Sequence, residues 1–512
     1  MKKVILIVID SCSSNIIVPA MESGLLPNMQ AMAEIGSFSP SCISIFPSIT
    51  HAATASIATG CYPQEHGIAG AHWYSLDSDD PVYYAGDFWV ILNRGLGEFF
   101  EDFVVRLNHR WLKADTIFQT VERAGLKAAC INHIIFRGDV RHELDIPNLL
   151  KILPGLPTSE TVYGPTILCM GDFISAVPDP LSEVLTAAGG LLHRFGLGDD
   201  YTADVLIELA KNKALPDFTL AYFPENDDFS HRLGPKKAID TLEHVDKRLG
   251  ELFEIYGGLE SMQEEFVLIL IGDHSQSDVL ADKENVGISL EKVLADFSVA
   301  AVGQLWNTED QLMACPNLRM AQIYLRPSTL AQFEHIVTEL LNDQRVDQVL
   351  WRANLVEPSE RGYHVVTADR GMLHFWPGHE GMETAVDQQG NVWSWQGDLR
   401  SVNGQLTVDN MLIFPEYPNA FERIRGGLEC PTSGHLWVTA RPGYEFSLPN
   451  MWTHTGGGSH GSLHVSDSVV PFIVAGAPEG IELPAYPRIV DVAPLCLAIL
   501  ELDSQKEVKK IS

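Results

Sequence analysis

Two apolar runs, each ending in an aspartate, constrain the fold of this chain more than any other feature. They read VILIVID at 4–10 and FVLILIGD at 266–273. Because their residues are apolar without alternation, they are typical of strands in a parallel sheet that is covered on both faces. The runs FTLAYFPEND and VVPFIVAG have the same character and predict two more strands of this kind.

Helical patterns lie between these runs, at 114–125, 202–212 and 236–257. Alternating strands and helices predict an α/β fold with a doubly wound, mostly parallel sheet. In such folds ligands bind beyond the carboxyl ends of the strands. Asp10 and Asp273 stand at two of those ends, so the sequence predicts a ligand site there.

The stretch 280–430 has a different character and predicts a smaller α+β insertion or cap. We therefore divide the chain into a core, residues 1–279 and 431–512, and an inserted subdomain, residues 280–430. The insertion contains none of the sequence clusters that are typical of metal sites. The aromatic-rich segment 85–112 predicts a helix packed on the main body, with a membrane-surface or partner helix as the weaker alternative.

The charge balance excludes one class of partner. The 512 residues include 35 Lys and Arg against 67 Asp and Glu, which gives a formal net charge of −32. A field this negative repels polyanions, so we expect no nucleic-acid polymer as a partner. A small phosphorylated substrate remains compatible, because bound metal ions invert the potential locally.

Cysteine usage and hydropathy bear on the compartment. The eight cysteines are scattered without a CxxC pair, which indicates reduced and mostly buried thiols. No stretch reaches the roughly 18 uninterrupted apolar residues of a membrane helix. The opening run VILIVI is short and is not directly followed by a small-residue cleavage site. We therefore expect a cytoplasmic protein without a transmembrane segment, and the oligomeric state stays open.

Acidic and histidine residues form short clusters with the content of a two-metal phosphate site. They are Asp10, Asp227 with His231, Asp273 with His274, and His460. Two metal ions about 4 Å apart can serve both oxygens of an in-line phosphoryl displacement, and mixed carboxylate and imidazole ligands suit zinc. Taken singly, each cluster has a simpler interpretation: Asp10 as a turn or capping residue, for example, and His460 as part of a glycine-rich loop.

A threonine supplies a candidate nucleophile. Thr50 precedes HAATASIATG, which predicts a helix of small residues ending at Gly60. A hydroxyl at a helix N-terminus lies in a positive field beside free backbone N–H groups, which favours an alkoxide and binds phosphate oxygens. Simple N-capping of the helix by Thr50 is the alternative.

In this order the motifs resemble the alkaline phosphatase superfamily and, within it, the nucleotide pyrophosphatase/type I phosphodiesterase family. The resemblance rests on VIDS, on PSIT followed by ATGCYPQEHGI, on DDFSH, on GDH and on GSHG. These motifs span residues 4–75, 220–276 and 455–500 and leave the insertion uncovered.

The resemblance implies an alkaline phosphatase-like fold and a role for each residue of the set. One metal would be held by Asp227, His231 and His460. The other would be held by Asp10, Asp273, His274 and the side chain of Thr50. Thr50 would be the nucleophile, giving a phosphothreonine intermediate that water hydrolyses. The two divalent ions would be zinc, with manganese as the alternative, and the substrates small phosphodiesters or pyrophosphates.

One position departs from the family pattern. The family usually has an asparagine shortly after HGI that binds a phosphate oxygen, and here Ala71 stands in its place. That oxygen is left to His72, Asn132, Arg137 or no side chain, so a phosphomonoesterase or a phosphonate hydrolase is the alternative activity. A phosphomutase is disfavoured by threonine at the nucleophile position. A non-catalytic metal-binding protein is the remaining alternative.

Overall fold

The computed structural model describes residues 1–84, 101–145, 159–178, 181, 196–381 and 383–502. An eight-stranded sheet lies at its centre. In spatial order its strands are Ser37–Ile43, Val469–Ala475, Phe266–Gly272, Lys3–Ile9, Phe218–Phe223, Ala128–Ile131, Ile167–Met170 and Ile174–Ala176. The five strands from Phe266–Gly272 to Ile167–Met170 are parallel to one another, which confirms the predicted mostly parallel sheet.

The direction of one predicted strand is wrong. The run VVPFIVAG forms the strand Val469–Ala475, which is antiparallel to Phe266–Gly272. Ser37–Ile43, at the edge, pairs with it in the same antiparallel sense. A strand buried on both faces is apolar throughout whichever way it runs, so its composition does not reveal its direction.

Both faces of the central sheet are covered by helices. Val4, Leu6 and Val8 lie in one apolar cluster, whereas the alternate residues of the same strand lie in the other. The first face carries Thr50–Thr59, Ile117–Arg123 and Val492–Ile499, and the second carries Ser14–Glu22, Pro27–Ile35, Asp199–Lys211 and Ile239–Ile255. The doubly wound fold is therefore confirmed.

The predicted helices are present with shifted ends. The pattern at 114–125 forms Ile117–Arg123, which begins at a capping box between Thr116 and Gln119. The pattern at 202–212 belongs to Asp199–Lys211. The pattern at 236–257 forms Ile239–Ile255 after a short 3₁₀ turn.

The aromatic-rich segment is described only in part. Residues 85–100 of the predicted helix lie outside the described residues. Glu101–Trp111 is a π-helix, and its Val104, Leu107 and Trp111 are buried in the first apolar cluster. For this part, packing on the main body is confirmed.

A second sheet of ten strands forms most of the middle of the chain. In spatial order they are Leu312–Asn317, Met320–Leu325, Leu436–Ala440, Val346–Arg352, Tyr363–Thr367, Gly371–Pro377, Val392–Gly397, Glu383–Asp387, Met411–Ile413 and Gln405–Leu406. Most neighbours are antiparallel, and Phe333–Asn342 and Ala420–Leu428 pack against them. The strand Leu436–Ala440 belongs to this sheet although it follows residue 430, and the predicted domain boundary stays a prediction.

Shorter elements complete the described structure. The remaining α-helices are Pro63–His66, Glu225–Leu233, Leu259–Glu265, Leu290–Val293 and Val465–Ser468, and 3₁₀ turns lie at Pro235–Ala238, Leu330–Gln332, Ala353–Leu355, Leu399–Val402 and Ile489–Asp491. Two-stranded pairs join Ser277–Asp278 to Gly458–Ser459, Gly287–Ser289 to Glu445–Ser447, His72–Ser75 to Asp80–Tyr83, and Val140–Asp145 to Ser159–Gly164.

None of the described helices has the length and the hydropathy that a membrane span requires. All eight cysteines are buried thiols that lie outside disulfide bonds.

Candidate active site

The strand ends bring the predicted ligands to one edge of the central sheet. Lys3–Ile9 and Phe266–Gly272 are adjacent and parallel, with Ile9 opposite Gly272. Asp10 and Asp273 follow these two residues directly, so both carboxylates emerge at the same edge. The helix Glu225–Leu233 starts just beyond the neighbouring parallel strand Phe218–Phe223 and carries Asp227 and His231 one turn apart.

Four of the predicted residues surround one point. His274 Nε2 lies 3.5 Å from Asp10 Oδ1 and 3.5 Å from Asp273 Oδ2. The same nitrogen lies 3.0 Å from Thr50 Oγ1. One imidazole nitrogen, two carboxylates and a hydroxyl therefore converge, which is a mixed ligand set for a divalent ion.

The other three predicted residues form an adjoining group. His231 Nε2 lies 3.4 Å from Asp227 Oδ2, and His460 Nε2 lies 3.6 Å from Asp227 Oδ1. The His460 ring stacks on His274 with ring centroids 3.8 Å apart. All seven predicted side chains thus lie together, and we call them the strand-end cluster: Asp10, Thr50, Asp227, His231, Asp273, His274 and His460.

Backbone carbonyls orient two of the histidines. His231 Nδ1 donates to Gly458 O at 2.8 Å, and His460 Nδ1 donates to Ser48 O at 2.7 Å. Because a carbonyl only accepts, the proton of each neutral ring is on Nδ1 and the lone pair of Nε2 faces the cluster. The two Nε2 atoms lie 3.2 Å apart. Two facing lone pairs repel unless a cation or a proton lies between them.

The carboxylates of the cluster are only partly satisfied. Asp273 Oδ1 accepts the N–H groups of Ser11 and His274 at 2.9 and 2.8 Å, and the Tyr222 hydroxyl donates to Asp10 Oδ2. The remaining oxygens, Asp10 Oδ1 and Asp273 Oδ2, are buried without a hydrogen-bond partner among the described residues. Buried oxygens of this kind need a compensating cation.

The titration of these groups agrees with that need. Burial, followed by repulsion from Asp273, raises the pKa of Asp10 well above its ordinary value, and burial also raises the pKa of Asp273. Burial lowers the pKa of His231 and, more strongly, that of His460. Neutral imidazoles beside crowded carboxylates fit divalent metal ions, which require deprotonated ligands.

Thr50 does not cap its helix. The N-cap position of Thr50–Thr59 is Ile49, no side chain caps this end, and the helix ends at Gly60 in the left-handed conformation. The Thr50 hydroxyl instead points to His274. The hydroxyl therefore lies at the positive end of the helix and within the strand-end cluster.

The candidate phosphate-oxygen ligands have other partners. Asn132 Nδ2 donates to Thr202 Oγ1 at 2.9 Å and to Gly196 O at 3.0 Å. Arg137 donates to backbone carbonyls, including Leu112 O at 2.7 Å, and to Gln119 Oε1 at 3.1 Å. These donors hold internal loops, and the substrate-binding role of Asn132 and Arg137 stays a prediction.

Asn317 of the ten-stranded sheet holds the loop that contains Ala71, the position where the sequence departs from the family pattern. Its Oδ1 accepts the N–H of Ala71 at 2.7 Å and that of His72 at 3.0 Å, and its Nδ2 donates to His72 O at 2.7 Å. The buried His72 ring packs edge-to-face on Tyr83. The substrate-binding role of His72 also stays a prediction, and the anchor Asn317 had no signal in the sequence.

Three further contacts support the cluster, and two of them involve residues that the sequence did not single out, Gln276 and Tyr222. Gln276 Nε2 donates to Asp227 Oδ1 at 2.5 Å, and Tyr222 is the donor to Asp10 already described. His454 lies 3.1 Å from Glu445, and its ring is tilted by 33° against that of His231, with centroids 4.2 Å apart. Tyr222 lies opposite Val8 in the parallel register, so a predicted strand pairing would have been the only signal for it.

An aromatic wall borders the threonine. His51 stacks on Tyr84, with centroids 5.0 Å apart and 13° between the planes, and lies edge-to-face on Phe103 at 6.2 Å. Burial lowers the pKa of His51 to about 3. The wall beside Thr50 is therefore uncharged at neutral pH.

Curated relatives share part of this chain. The venom phosphodiesterase CdcPDE of Crotalus durissus collilineatus is 24% identical over 263 residues, which are 51% of this chain and 24% of that protein. Venom phosphodiesterase 2 of Crotalus adamanteus is 25% identical over 263 residues, 51% of this chain and 25% of that protein. The chain thus matches about a quarter of the length of these relatives.

Solved structures share the fold over nearly the whole chain. The murine ectonucleotide pyrophosphatase / phosphodiesterase 5 is similar with a TM-score of 0.56 and 13% identity, covering 99% of this chain and 96% of that one. An inactive variant of the same murine protein in complex with AMP gives the same TM-score at 14% identity, with the same coverage. Residues 4–463 match the family described as Type I phosphodiesterase / nucleotide pyrophosphatase, and the chain belongs to that family.

Proposed function

We propose that this chain hydrolyses phosphodiester or pyrophosphate bonds of small substrates, with Thr50 as the nucleophile and two divalent metal ions at the strand-end cluster. One observation carries the proposal: Thr50 Oγ1 lies 3.0 Å from His274 Nε2, at a helix N-terminus and among buried carboxylates. Family membership supports phosphodiester hydrolysis as the reaction class.

The ligand set supports two metal positions. Asp227, His231 and His460 would hold one ion, and Asp10, Asp273, His274 and Thr50 the other. The buried oxygens without partners, Asp10 Oδ1 and Asp273 Oδ2, fit such ions. Mixed nitrogen and oxygen ligands suit zinc, with manganese as the alternative. When bound, the ions supply positive charge that lowers the hydroxyl pKa and stabilises charge on the attacking and leaving oxygens.

Thr50 carries the covalent chemistry of the proposal. Its Oγ1 attacks phosphorus in line with the leaving oxygen, so that the Oγ1–P bond forms as the bond from phosphorus to the leaving oxygen breaks. Backbone N–H groups of the first turn of Thr50–Thr59 stabilise the phosphate oxygens. Water then cleaves the phosphothreonine at phosphorus and restores the hydroxyl.

The surroundings of Thr50 favour a nucleotide as the substrate. His51 and Phe103 are partly exposed beside the buried Tyr84, and their uncharged rings can pack against a nucleobase. The AMP complex of the murine relative supports the same class. The net charge of −32 argues against a polymeric nucleic acid. Eight buried cysteines outside disulfide bonds support a reducing compartment, for which we propose the cytoplasm.

Ala71 keeps a second candidate activity in view. A methyl group stands where the family places an amide, and the Ala71 N–H is bonded to Asn317. Without that amide donor, a phosphomonoester or a phosphonate is the competing substrate class.

A panel of substrates tests the proposal. Zinc-loaded protein would be assayed against a diester, a dinucleoside pyrophosphate, a monoester, a phosphonate and a sulfate ester, and a Thr50→Ala preparation would measure contaminating hydrolases. We expect the diester or the pyrophosphate to have the highest kcat/KM. A monoester or phosphonate that is turned over faster would select the second candidate, and hydrolysis of none of the five would refute both.

A further inference from the structure

A second group of metal-ligating side chains lies in the ten-stranded sheet. His364 and His374 are opposite one another on the strands Tyr363–Thr367 and Gly371–Pro377, and their rings stack with centroids 4.4 Å apart. Glu360 precedes the first of these strands. These residues form no recognisable cluster in the sequence, because it is the hairpin register that brings His374 to His364. We call Glu360, His364 and His374 the hairpin cluster.

The three side chains converge through their ligand atoms. Glu360 Oε2 lies 3.2 Å from His364 Nε2, and Glu360 Oε1 lies 3.4 Å from His374 Nδ1. One ligand atom from each residue falls within 4.8 Å of the others. Two imidazole nitrogens and a carboxylate at this separation can ligate one ion after small adjustments.

Hydrogen bonding leaves a lone pair directed at the carboxylate. His374 Nε2 lies 2.8 Å from the carbonyl oxygen of Arg361. That oxygen only accepts, so Nε2 carries the proton, and Nδ1 of the neutral ring presents a lone pair to Glu360. A lone pair facing a carboxylate oxygen is repulsive unless a proton or a metal ion lies between them. A backbone carbonyl on the far nitrogen is also the usual outer partner of a metal-bound histidine.

Two properties favour the metal ion over the proton. The His364 side chain is only 9% exposed, so a positively charged imidazolium there would be poorly solvated. Protonation of both stacked rings would place two positive charges beside a single carboxylate. The metal alternative satisfies both nitrogens and the carboxylate with one ion.

The surroundings fix the rings and leave a route from solvent. His364 stacks on Trp351, with centroids 5.1 Å apart, and His374 lies against Trp376 at 4.8 Å. The side chains of His374 and Glu360 remain 15% and 35% exposed. An ion can enter from that side, and water can complete its coordination.

We propose that Glu360, His364 and His374 bind a divalent transition-metal ion, zinc by the chemistry of the ligands, at a site separate from the strand-end cluster. The ion ties the turn that carries Glu360 to the hairpin that carries the two histidines. Two histidines and one carboxylate with an open position form a set that zinc accepts. This proposal does not rest on the proposed function.

Metal counting tests the site. The unmodified chain, His374→Ala and Glu360→Gln would each be stripped with a chelator and reloaded with Zn²⁺. Elemental mass spectrometry would then give the equivalents of zinc bound per chain. We expect one equivalent fewer in both variants, with phosphodiesterase turnover unchanged. Loss of a direct ligand should weaken binding of the ion at the hairpin cluster by more than the roughly 10- to 100-fold typical of outer partners.

His335→Ala is the matched control. His335 is a half-exposed histidine on a helix of the same subdomain, 2.9 Å from Asp296, and it should keep the full metal count. Equal zinc in the unmodified chain, Glu360→Gln and His374→Ala would overturn the proposal and leave the hairpin cluster as an ion pair. Glu360→Gln decides alone if His374→Ala does not fold, because it removes the charge and keeps the shape.

Discussion

The strand-end cluster and the hairpin cluster contain the same types of side chain in different settings. In the strand-end cluster the side chains of Asp273 and His274 are fully buried. The seven residues of this cluster come from segments that are spread between positions 10 and 460. The hairpin cluster is built within one hairpin and its preceding turn, and the Glu360 side chain is 35% exposed. Burial makes several carboxylates at the strand ends depend on cations, whereas one carboxylate on a surface turn is partly served by water.

The two clusters also differ in what accompanies the ligands. Thr50 adds a hydroxyl at the start of a helix to the strand-end cluster. The hairpin cluster is backed by the indole rings of Trp351 and Trp376. We therefore propose chemistry at the first cluster, where a hydroxyl lies at a helix N-terminus, and a structural ion at the second, where the ligands pack on rings.

The largest expected effect separates the two halves of the strand-end cluster. Asp227→Asn and His460→Ala should lower the affinity for one metal ion, and Asp273→Asn should lower the affinity for the other. Each should lower turnover by orders of magnitude, because a direct ligand is lost rather than an outer partner worth about 10- to 100-fold. Metal content and turnover would be measured together, and the hairpin ion should remain in all three variants.

His374→Ala serves as the reciprocal control, since it should lose one ion and keep its turnover. Full metal content and full activity in His460→Ala would contradict the assignment of the first half. The candidate ligand would then be His454, whose ring lies against His231 with centroids 4.2 Å apart.

A smaller effect compares a buried histidine near the strand ends with His335, an exposed histidine of the inserted subdomain. His133 is fully buried, donates from Nδ1 to Ile135 O and packs edge-to-face on Tyr222. Burial lowers its pKa to about 4, against an ordinary value near 6.5 in the unfolded chain. The unfolded state therefore binds more protons in this window, and stability is lost as the pH falls from 6.5 towards 4.

The contribution is up to about 1.4 kcal/mol for each pH unit in that window. His133→Gln should show a shallower loss of melting temperature between pH 6.5 and 4 than the unmodified chain. His335→Ala, which removes an exposed histidine, should follow the unmodified chain. An identical slope in His133→Gln would show that His133 is protonated in the folded protein.

The sequence predicted the strand-end cluster because its residues follow recognisable strands. Asp10 and Asp273 close two apolar runs, and parallel strands bring their ends to one edge. Thr50 was identified because small residues and a terminal glycine mark a helix. The roles of the other members, including His231 and His460, came from the resemblance to the family and not from a local pattern.

The features that the sequence did not predict depend on tertiary contacts, which no local pattern encodes. The direction of Val469–Ala475 leaves no mark on a strand buried on both faces. The hairpin cluster requires the register that places His364 opposite His374. Asn132 and Arg137 have suitable donors, but their hydrogen bonds to internal loops appear only in the folded chain.

The central claim is that Thr50 is the nucleophile of a two-metal phosphohydrolase. The most direct test is the turnover of the best substrate by Thr50→Ala and Thr50→Ser, with melting and metal content measured on the same samples. We expect Thr50→Ala to lose orders of magnitude in turnover at nearly unchanged melting, because Ile49 occupies the N-cap position. Thr50→Ser should keep substantial activity, since its hydroxyl survives. Near-normal turnover by Thr50→Ala would exclude Thr50 as the nucleophile.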